Sequence, residues 1–282
     1  MKILVTGGNG QLGSEIKDLS GSYPNSEFLF TSRAEMPLDN LDAIDNALQS
    51  FQPDVVINAG AYTTVDKAES EPELADKVNH LAVAQIAKWV KANNSKLIHV
   101  STDYVFQGDS NVPLKEGEPT NPINIYGATK QKGEQAIVDS EAEAIIIRTA
   151  WVYSTYGANF VKTMIRLMTE RDEISVISDQ IGSPTYARDL AKAILQIVHG
   201  AKWTNGIYHF SNEGEISWYD FAIAIRDLSS LDCKINAIPT EQYPTPAKRP
   251  KFSLLDKTKI KETFDVEIPF WKNSLTSMLN HL

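Results

Sequence analysis

The sequence predicts an α/β protein built on a Rossmann-type, doubly wound parallel sheet with a smaller C-terminal lobe. Short runs that are apolar nearly throughout, such as ILV, DVVIN, LIHV and AIIIR, are typical of strands buried on both faces of a parallel sheet. Stretches with apolar residues at helical spacing lie between these runs. This alternation of strand and helix indicates a doubly wound fold.

The individual elements follow from the same patterns. We predict strands at residues 2–6, 27–31, 54–58, 96–100, 144–148 and 173–177. We predict helices around residues 11–19, 41–51, 73–92 and 127–138. After Trp151 the pattern becomes irregular, and prolines at 184, 239, 244, 246 and 250 punctuate short segments. The later part of the chain is therefore expected to form the smaller lobe.

Composition argues against several classes of protein. The formal net charge of -9 opposes broad electrostatic binding to nucleic acid or to an anionic membrane, since both need clustered cations. A single cysteine, Cys233, rules out an intrachain disulfide. The opening MKILVTGG lacks the apolar stretch of a signal peptide, and no apolar run approaches the ~20 residues that span a bilayer. We expect a cytoplasmic protein that binds neither nucleic acid nor membrane.

A glycine-rich turn directly follows the first predicted strand. In GGNGQLG, Gly7, Gly10 and Gly13 lie between strand and helix, and the spacing from Gly8 also fits G-x-G-x-x-G. Glycine permits a positive φ in the turn and lets backbone N–H groups approach a pyrophosphate at the helix N-terminus. A plain turn is the alternative, but this position inside the first βαβ unit favours dinucleotide binding. We therefore predict an NAD(P)-binding Rossmann domain at residues 1–150, into which later segments cross back, and a mainly substrate-binding lobe at residues 151–282.

The end of the second strand bears on the choice of cofactor. An acidic residue about 20 positions beyond the glycines would bind the ribose hydroxyls of NAD, but Thr31, Ser32 and Arg33 stand there. This leaves room for the 2′-phosphate of NADP, so NADPH is favoured without excluding NADH. Asp39 is expected near the adenine, and a solvated side chain is the alternative for Arg33.

Tyr126 and Lys130 lie four residues apart in YGATK, which places both side chains on one face of a predicted helix. A neighbouring ammonium lowers the pKa of a phenol, and this brings tyrosine closer to acid-base work at neutral pH. Such a pair is expected once by chance, so the context matters. The preceding strand ends in Ser101 and Thr102, and ligands bind at the carboxyl ends of the strands in such sheets. A hydroxyl, a tyrosine and a lysine are thus predicted to converge on one carbonyl, whereas hydrolase motifs such as G-x-S-x-G are absent.

Several strings resemble, in order, blocks of the extended short-chain dehydrogenase/reductase superfamily and, more narrowly, of the dTDP-4-dehydrorhamnose reductases. They are GGNGQLG, NAGAYTTVDKAESE, STDYVFQG, NIYGATKQKGE, RTAWVY, GANFVKTM, DQIGSPT and TPAKRP. The resemblance covers nearly the whole chain. It implies NAD(P)H-dependent reduction of the 4-keto group of dTDP-4-dehydro-6-deoxy-L-mannose (dTDP-4-dehydrorhamnose) to dTDP-L-rhamnose, with the proton from Tyr126. A sibling epimerase, dehydratase or reductase of nucleotide sugars is one alternative, and a non-catalytic protein like the regulatory subunit of methionine adenosyltransferase is another.

The resemblance also implies roles for individual residues. The catalytic set is Thr102, Tyr126 and Lys130. The cofactor would contact Gly7, Gly10, Gln11, Leu12, Asp39, Asn40, Ala61, Tyr62, Thr63, Tyr126 and Lys130. The sugar nucleotide would contact Thr102, Asp103, Trp151, Asn159, Lys162 and Arg249. Core packing of Trp151, a turn role for Asp103 and solvated positions for Lys162 and Arg249 are the alternatives.

Two positions depart from the family pattern. Gly60 stands where alanine is expected, a change that close backbone packing should tolerate. Some relatives hold magnesium between subunits on glutamates, and Glu15 matches one of these, but Arg188 stands where an acid is expected. We therefore doubt a magnesium site and predict no metal. The resemblance leaves a monomer and a homodimer open.

Overall fold

The computed structural model describes residues 1–282. Its strands are β1 (Lys2–Thr6), β2 (Glu27–Thr31), β3 (Val55–Asn58), β4 (Lys96–Thr102), β5 (Glu143–Thr149), β6 (Val152–Tyr153), β7 (Glu173–Ile177), β8 (Ile181–Gly182), β9 (Thr185–Tyr186), β10 (Gly206–Phe210), β11 (Ile216–Ser217) and β12 (Lys234–Ile238). Its α-helices are α1 (Gln11–Ser20), α2 (Leu41–Phe51), α3 (Val65–Ala68), α4 (Pro72–Asp76), α5 (Ala82–Ala92), α6 (Ile125–Ser140), α7 (Phe160–Glu170), α8 (Ala187–His199), α9 (Trp218–Leu228), α10 (Thr258–Phe264) and α11 (Trp271–Leu279).

Six parallel strands form the main sheet in the order β2-β1-β3-β4-β5-β10. The order reverses between β1 and β3, which is the switch point where ligands bind in doubly wound folds. Thr6, Asn58 and His99 are neighbours in register across β1, β3 and β4. The carboxyl ends of these strands therefore meet at one edge, and the predicted fold class is confirmed.

Apolar side chains pack on both faces of this sheet and form a separate core in the second lobe. One cluster joins Ile3 and Val5 of β1 to the apolar face of α8. A second cluster joins Leu4 and Val56 to helices α2 and α5. A third cluster fills the lobe built from α7, α9, α11 and the β7–β12 pair. Residues 187–210 thus return to the main sheet, and the boundary at residue 150 stays a prediction.

The sixth strand of the main sheet is Gly206–Phe210, and the sequence analysis did not predict it. The predicted strand at residues 173–177 does form, but it pairs with β12 in the smaller lobe. Its alternating burial explains the difference, because Glu173 and Ser175 are exposed whereas Ile174 and Val176 are buried. Such a strand suits a sheet with one face exposed to solvent, and not a central strand of a sheet that helices cover on both faces.

The predicted helix at residues 73–92 contains a π-helical turn at Lys77–Leu81 between α4 and α5. Asn79 in this turn is 1% exposed and bonds both the N–H and the C=O of Tyr62, at 2.9 and 3.1 Å. The turn therefore fixes the loop that follows β3. No helix in the structure is both long and apolar enough to cross a bilayer.

Candidate active site

The glycine turn after β1 brings backbone atoms into close contact. Gly7 has a φ of +65°, and its carbonyl accepts a hydrogen bond from the Gly10 N–H at 2.8 Å. A Cβ on Gly13 would overlap the Gly7 carbonyl and lie 2.7 Å from the Gly8 Cα. No side chain caps α1, whose first turn also has no acidic residue. The free N–H groups at this helix end fit the pyrophosphate of a dinucleotide.

A cavity of about 610 Å³ lies at the carboxyl edge of the sheet, between the two lobes. Most predicted site residues line it: Gly7, Gly10, Gln11, Leu12, Ala61, Thr63, Thr102, Asp103, Tyr126, Lys130, Trp151 and Asn159. The structure thus brings the glycine turn, the Tyr/Lys helix and the start of the second lobe around one space. Gly60 also lines this cavity, and a Cβ there would approach Leu38 Cδ1 at 2.8 Å.

A smaller cleft of about 160 Å³ adjoins this cavity and shares Gly7, Gly60 and Ala61 with it. Asp39, Tyr62 and Arg33 line the cleft. The Arg33 guanidinium is 81% exposed and lies 3.7 Å from the Asp39 carboxylate, so it is available to a further anion. Arg33, Asp39 and Tyr62 thus lie together in a cleft that opens from the glycine turn.

Asn40, also predicted to contact the cofactor, has a different position. Its side chain accepts a hydrogen bond from the Ala43 N–H and caps α2. Asn40 lines neither the cavity nor the cleft.

Strand β4 and helix α6 supply the predicted catalytic set. The Thr102 hydroxyl at the end of β4 donates to Asp103 Oδ1 at 3.0 Å and accepts from the Tyr104 N–H at 3.2 Å. Asn124 caps the start of α6 by accepting from the Gly127 N–H at 2.8 Å, which orients the first turn containing Tyr126. The Tyr126 ring meets the Tyr104 ring edge to face at 5.7 Å.

The proton affinities of Tyr126 and Lys130 follow mainly from their burial. Burial raises the pKa of Tyr126 to about 12, against an opposing effect of Thr102. Burial also lowers the pKa of Lys130 to about 8, although Glu134 favours its charged form. The Lys130 amine donates to Val100 O at 2.6 Å and lies 3.2 Å from His99 Nε2. The expected lowering of the tyrosine pKa by Lys130 is not seen, and both hydrogen-bond partners of the Lys130 amine lie on β4.

Asp103 is a buried carboxyl group in the cavity wall. It is 2% exposed, and its Oδ2 has no hydrogen-bond partner. Burial raises its pKa to about 6, although the nearby Ser253 hydroxyl, which does not reach hydrogen-bond geometry, and the Thr102 hydroxyl, which bonds Oδ1, favour its charged form. A buried acceptor without a partner at the cavity is suited to receive a hydroxyl of a bound ligand.

Two tryptophans form the wall of the cavity on the side of the second lobe. Trp151 and Trp218 stack with ring centroids 3.7 Å apart and an interplanar angle of 16°. Trp151 has a φ of +48°, which is strained for a bulky residue. Such strain is typical of functional sites, and it adds to the case that Trp151 contacts a ligand.

The other predicted substrate contacts differ in their positions. The Asn159 amide N–H donates to Gln11 Oε1 at 3.1 Å and to Ser154 O at 2.6 Å, so Asn159 joins the cofactor turn to the second lobe. The Lys162 amine donates to Thr155 O and Gly157 O and lies outside the cavity. Lys162 therefore holds the loop before α7.

Arg249 also lies outside the main cavity. It pairs with Asp66 at 2.7 Å and lines two further grooves, of about 650 and 500 Å³. The second of these grooves shares Trp218 with the main cavity.

The carboxylate considered for magnesium is paired within the chain. Glu15 is fully buried, accepts from the Ser154 hydroxyl at 2.7 Å and lies 2.9 Å from the Arg188 guanidinium. Asp18 lies 3.4 Å from the same guanidinium. A guanidinium beside the carboxylate supplies the positive charge that a cation would bring, so these residues do not fit magnesium. No group of three or more metal-binding side chains is present.

Sequence reasoning missed three residues that shape the site: Trp218, Tyr104 and His99. Trp218 begins a helix far along the chain, and no local pattern links it to Trp151. His99 lies in the predicted strand LIHV and Tyr104 in the string STDYVFQG, but neither residue was assigned a role. A polar histidine within an otherwise apolar strand was the available signal for His99.

The chain is similar to known proteins over its whole length. The family model described as the RmlD substrate binding domain matches residues 1–282. A dTDP-4-dehydrorhamnose reductase of Aggregatibacter actinomycetemcomitans is 41% identical over 288 residues, covering 98% of each chain. The crystal structure of a dTDP-4-dehydrorhamnose reductase from Clostridium acetobutylicum superposes with a TM-score of 0.95 at 38% identity, covering 100% of this chain and 99% of that one. The enzyme of that name from Bacillus anthracis, solved in complex with NADP, has a TM-score of 0.95 at 36% identity with the same coverage. The chain therefore belongs to the RmlD substrate binding domain family.

Proposed function

We propose that this chain catalyses the NADPH-dependent reduction of dTDP-4-dehydrorhamnose to dTDP-L-rhamnose. The observation that carries the proposal is the placement of Thr102, Tyr126 and Lys130 in one cavity with the glycine turn. The relatives named above act on this substrate by name, and one of them is solved with NADP. The bound cofactor would supply the hydride that C4 of the sugar receives.

Tyr126 is the group best placed to supply the proton. Reduction turns the C4 carbonyl into an alkoxide, which a neighbouring acid must protonate. A pKa raised to about 12 keeps the Tyr126 phenol protonated at neutral pH, which is the form that this step requires. The Thr102 hydroxyl lies in the same wall and would donate a hydrogen bond to the same oxygen.

Lys130 would support the proton transfer from the base of the cavity. Once Tyr126 has given up its proton, the ammonium of Lys130, which lines the same cavity, would have to turn toward the phenolate to stabilise it. With a pKa near 8, Lys130 is largely charged at neutral pH. In addition, its amine would orient the ribose of the bound cofactor.

The substrate's nucleotide would extend away from the catalytic groups toward the second lobe. The groove of about 500 Å³ continues from Trp218 and carries Phe160, Tyr243 and Arg249. Aromatic rings suit a nucleobase, whereas Arg249 is already paired with Asp66 at 2.7 Å and would have to share its charge with a phosphate. The free oxygen of Asp103 would accept a hydroxyl of the sugar.

The test is an assay of NADPH and NADH oxidation with dTDP-4-keto-L-rhamnose and with its UDP and GDP counterparts. We expect turnover with the dTDP sugar and a loss of about 10² to 10⁴-fold in kcat for Tyr126→Phe, with cofactor affinity nearly unchanged. Tyr23→Phe is the matched control, because the Tyr23 ring stacks on His199 at 3.9 Å, outside the cavity. An unchanged rate for Tyr126→Phe would remove this residue from the role of acid, and no oxidation with any of these sugars would refute the proposed activity.

A further inference from the structure

A chain of buried polar groups runs across the main sheet behind Lys130. The Gly60 N–H donates to Thr6 Oγ1 at 2.9 Å, and the Thr6 hydroxyl lies 2.6 Å from Asn58 Oδ1. Asn58 Nδ2 lies 3.0 Å from His99 Nδ1, and His99 Nε2 lies 3.2 Å from the Lys130 amine. Thr6, Asn58, His99 and Lys130 are each at most 1% exposed, so water does not share these bonds.

The direction of each bond follows from the first one. A backbone N–H can only donate, so Thr6 Oγ1 accepts from Gly60, and the one hydrogen bond that the Thr6 hydroxyl itself donates goes to Asn58 Oδ1. The amide nitrogen of Asn58 therefore faces His99 and donates to Nδ1. A neutral imidazole carries one proton, so the proton of His99 lies on Nε2 and faces the Lys130 amine.

This arrangement acts against the charged form of Lys130. An ammonium has only donors and meets the Nε2–H of His99, whereas a neutral amine can accept from it. The other ionisable groups near the amine are Glu134 on α6, which pairs with Arg148 of β5 at 2.6 Å, and Tyr126 and Asp103 in the cavity wall. Burial and the charge of Lys130 hold the pKa of His99 well below its ordinary value, so the ring stays neutral.

We propose that His99 is a positioning residue for the proton-transfer step, held in its Nε2–H form by Thr6 and Asn58 and acting on the reaction through the Lys130 amine. The proposal rests on the proposed function for its effect on turnover. This series of hydrogen bonds ends at a backbone amide that cannot release a proton. It therefore influences the protonation state of Lys130 but cannot carry protons to or from it. Protons must then reach Tyr126 and Lys130 from the cavity side.

Thr6→Val tests this hydrogen-bonded series at a residue that does not itself line the cavity, although it also removes the acceptor of the Gly60 N–H. Valine keeps the shape of threonine but removes the hydroxyl that orients Asn58. The amide can then turn its oxygen toward His99, which moves the ring proton to Nδ1 and lets Nε2 accept from a Lys130 ammonium. We expect the pKa of Lys130 to rise by about one pH unit in this variant. Thr6→Ser keeps the hydroxyl and should restore the wild-type behaviour.

Two readouts need no turnover. NMR of protein isotope-labelled at both histidine ring nitrogens reports the position of the proton on each of the five histidines, and His99→Gln assigns the His99 signals. Labelling at lysine Cε reports the titration of Lys130. We expect an Nε2–H ring in the wild type and in Thr6→Ser, and an Nδ1–H ring with a later Lys130 titration in Thr6→Val. A wild-type ring protonated on Nδ1, or a Lys130 titration that does not differ between the two variants, would overturn the proposal.

The pH profile of kcat/KM adds the link to the reaction. If charged Lys130 is the active form, the alkaline loss of activity should move up by the same unit in Thr6→Val and return in Thr6→Ser. An alkaline limb that stays in place while the tautomer changes would also overturn the proposal. Absence of turnover in the wild type would instead refute the proposed function. The two NMR results would then still test whether Thr6 and Asn58 control the tautomer of His99 and the titration of Lys130.

Discussion

Asp103→Asn should make the protein more stable, and by an amount that depends on pH. The carboxyl is 2% exposed, and burial raises its pKa from the ordinary 3.8 to about 6. The folded protein therefore binds more protons at this site than the unfolded chain between these two values. Stability falls as the pH rises through this window, because the unfolded chain holds the charged carboxylate more easily.

The size of the effect follows from the same two values. A pKa of about 6 against 3.8 corresponds to about 3 kcal/mol of destabilisation, which is complete at pH 8 and falls to about half at pH 5. Asparagine removes the charge and keeps an oxygen for the Thr102 hydroxyl, and the nearby Ser253 hydroxyl can accept from the new amide. We expect the variant to gain up to about 3 kcal/mol at pH 8 and about 1.5 kcal/mol less at pH 5.

Urea unfolding of both proteins at pH 5 and pH 8 measures this difference. Asp232→Asn is the control, since Asp232 is exposed and should change stability by less than about 0.5 kcal/mol at either pH. If Asp103→Asn raised the free energy of unfolding equally at the two pH values, the pKa of Asp103 would not be raised in the folded protein, and the reasoning would fail.

Two further predictions concern stability and cofactor choice. Glu134→Gln should lower the free energy of unfolding, measured in urea, by about 3 to 5 kcal/mol, because it leaves the Arg148 guanidinium, 3% exposed, without its counter-charge. The control Glu170→Gln breaks the exposed pair with Arg166 and should cost less than about 1 kcal/mol. Equal losses in the two variants would contradict the argument. Arg33→Ala should raise KM for NADPH by about 10-fold or more and leave KM for NADH nearly unchanged. Lys88→Ala, at another exposed cation, is the control. The same change in KM for both cofactors would show that Arg33 does not contact the 2′-phosphate.

Much of the fold could be predicted because buried parallel strands are apolar along their whole length. That signal located β1 to β5 to within a residue or two at each end. It failed for β10, whose sequence GIYHF begins with a glycine at a φ of +149° and contains a buried histidine. It also could not tell that β7 pairs outside the main sheet, since pairing depends on which lobe the strand joins.

Site residues that directly follow strand ends could be predicted from the sequence. Roles that depend on which charged or polar group lies beside a side chain in the folded protein could not. Tyr126 and Lys130 were found from their spacing and position, and both line the cavity. Lys162 and Arg249 have the charge of phosphate ligands, yet one binds loop carbonyls and the other pairs with Asp66. Sequence alone shows that a cation is present but not which anion or carbonyl in the chain lies beside it.

Polar atoms behind Lys130, within the sheet, are paired differently from those in the cavity wall, and this pairing bears on the route by which Tyr126 regains a proton. Behind Lys130 each polar side-chain atom from His99 to Thr6 has at least one hydrogen-bond partner, and this series of bonds ends at the Gly60 backbone amide. On the cavity side, Asp103 Oδ2 has none. A proton lost by Tyr126 can therefore be replaced only through the cavity, where ligand hydroxyls and water can reach it. Binding of a ligand that closes the cavity should slow this replacement, so the step that restores Tyr126 is expected to follow product release.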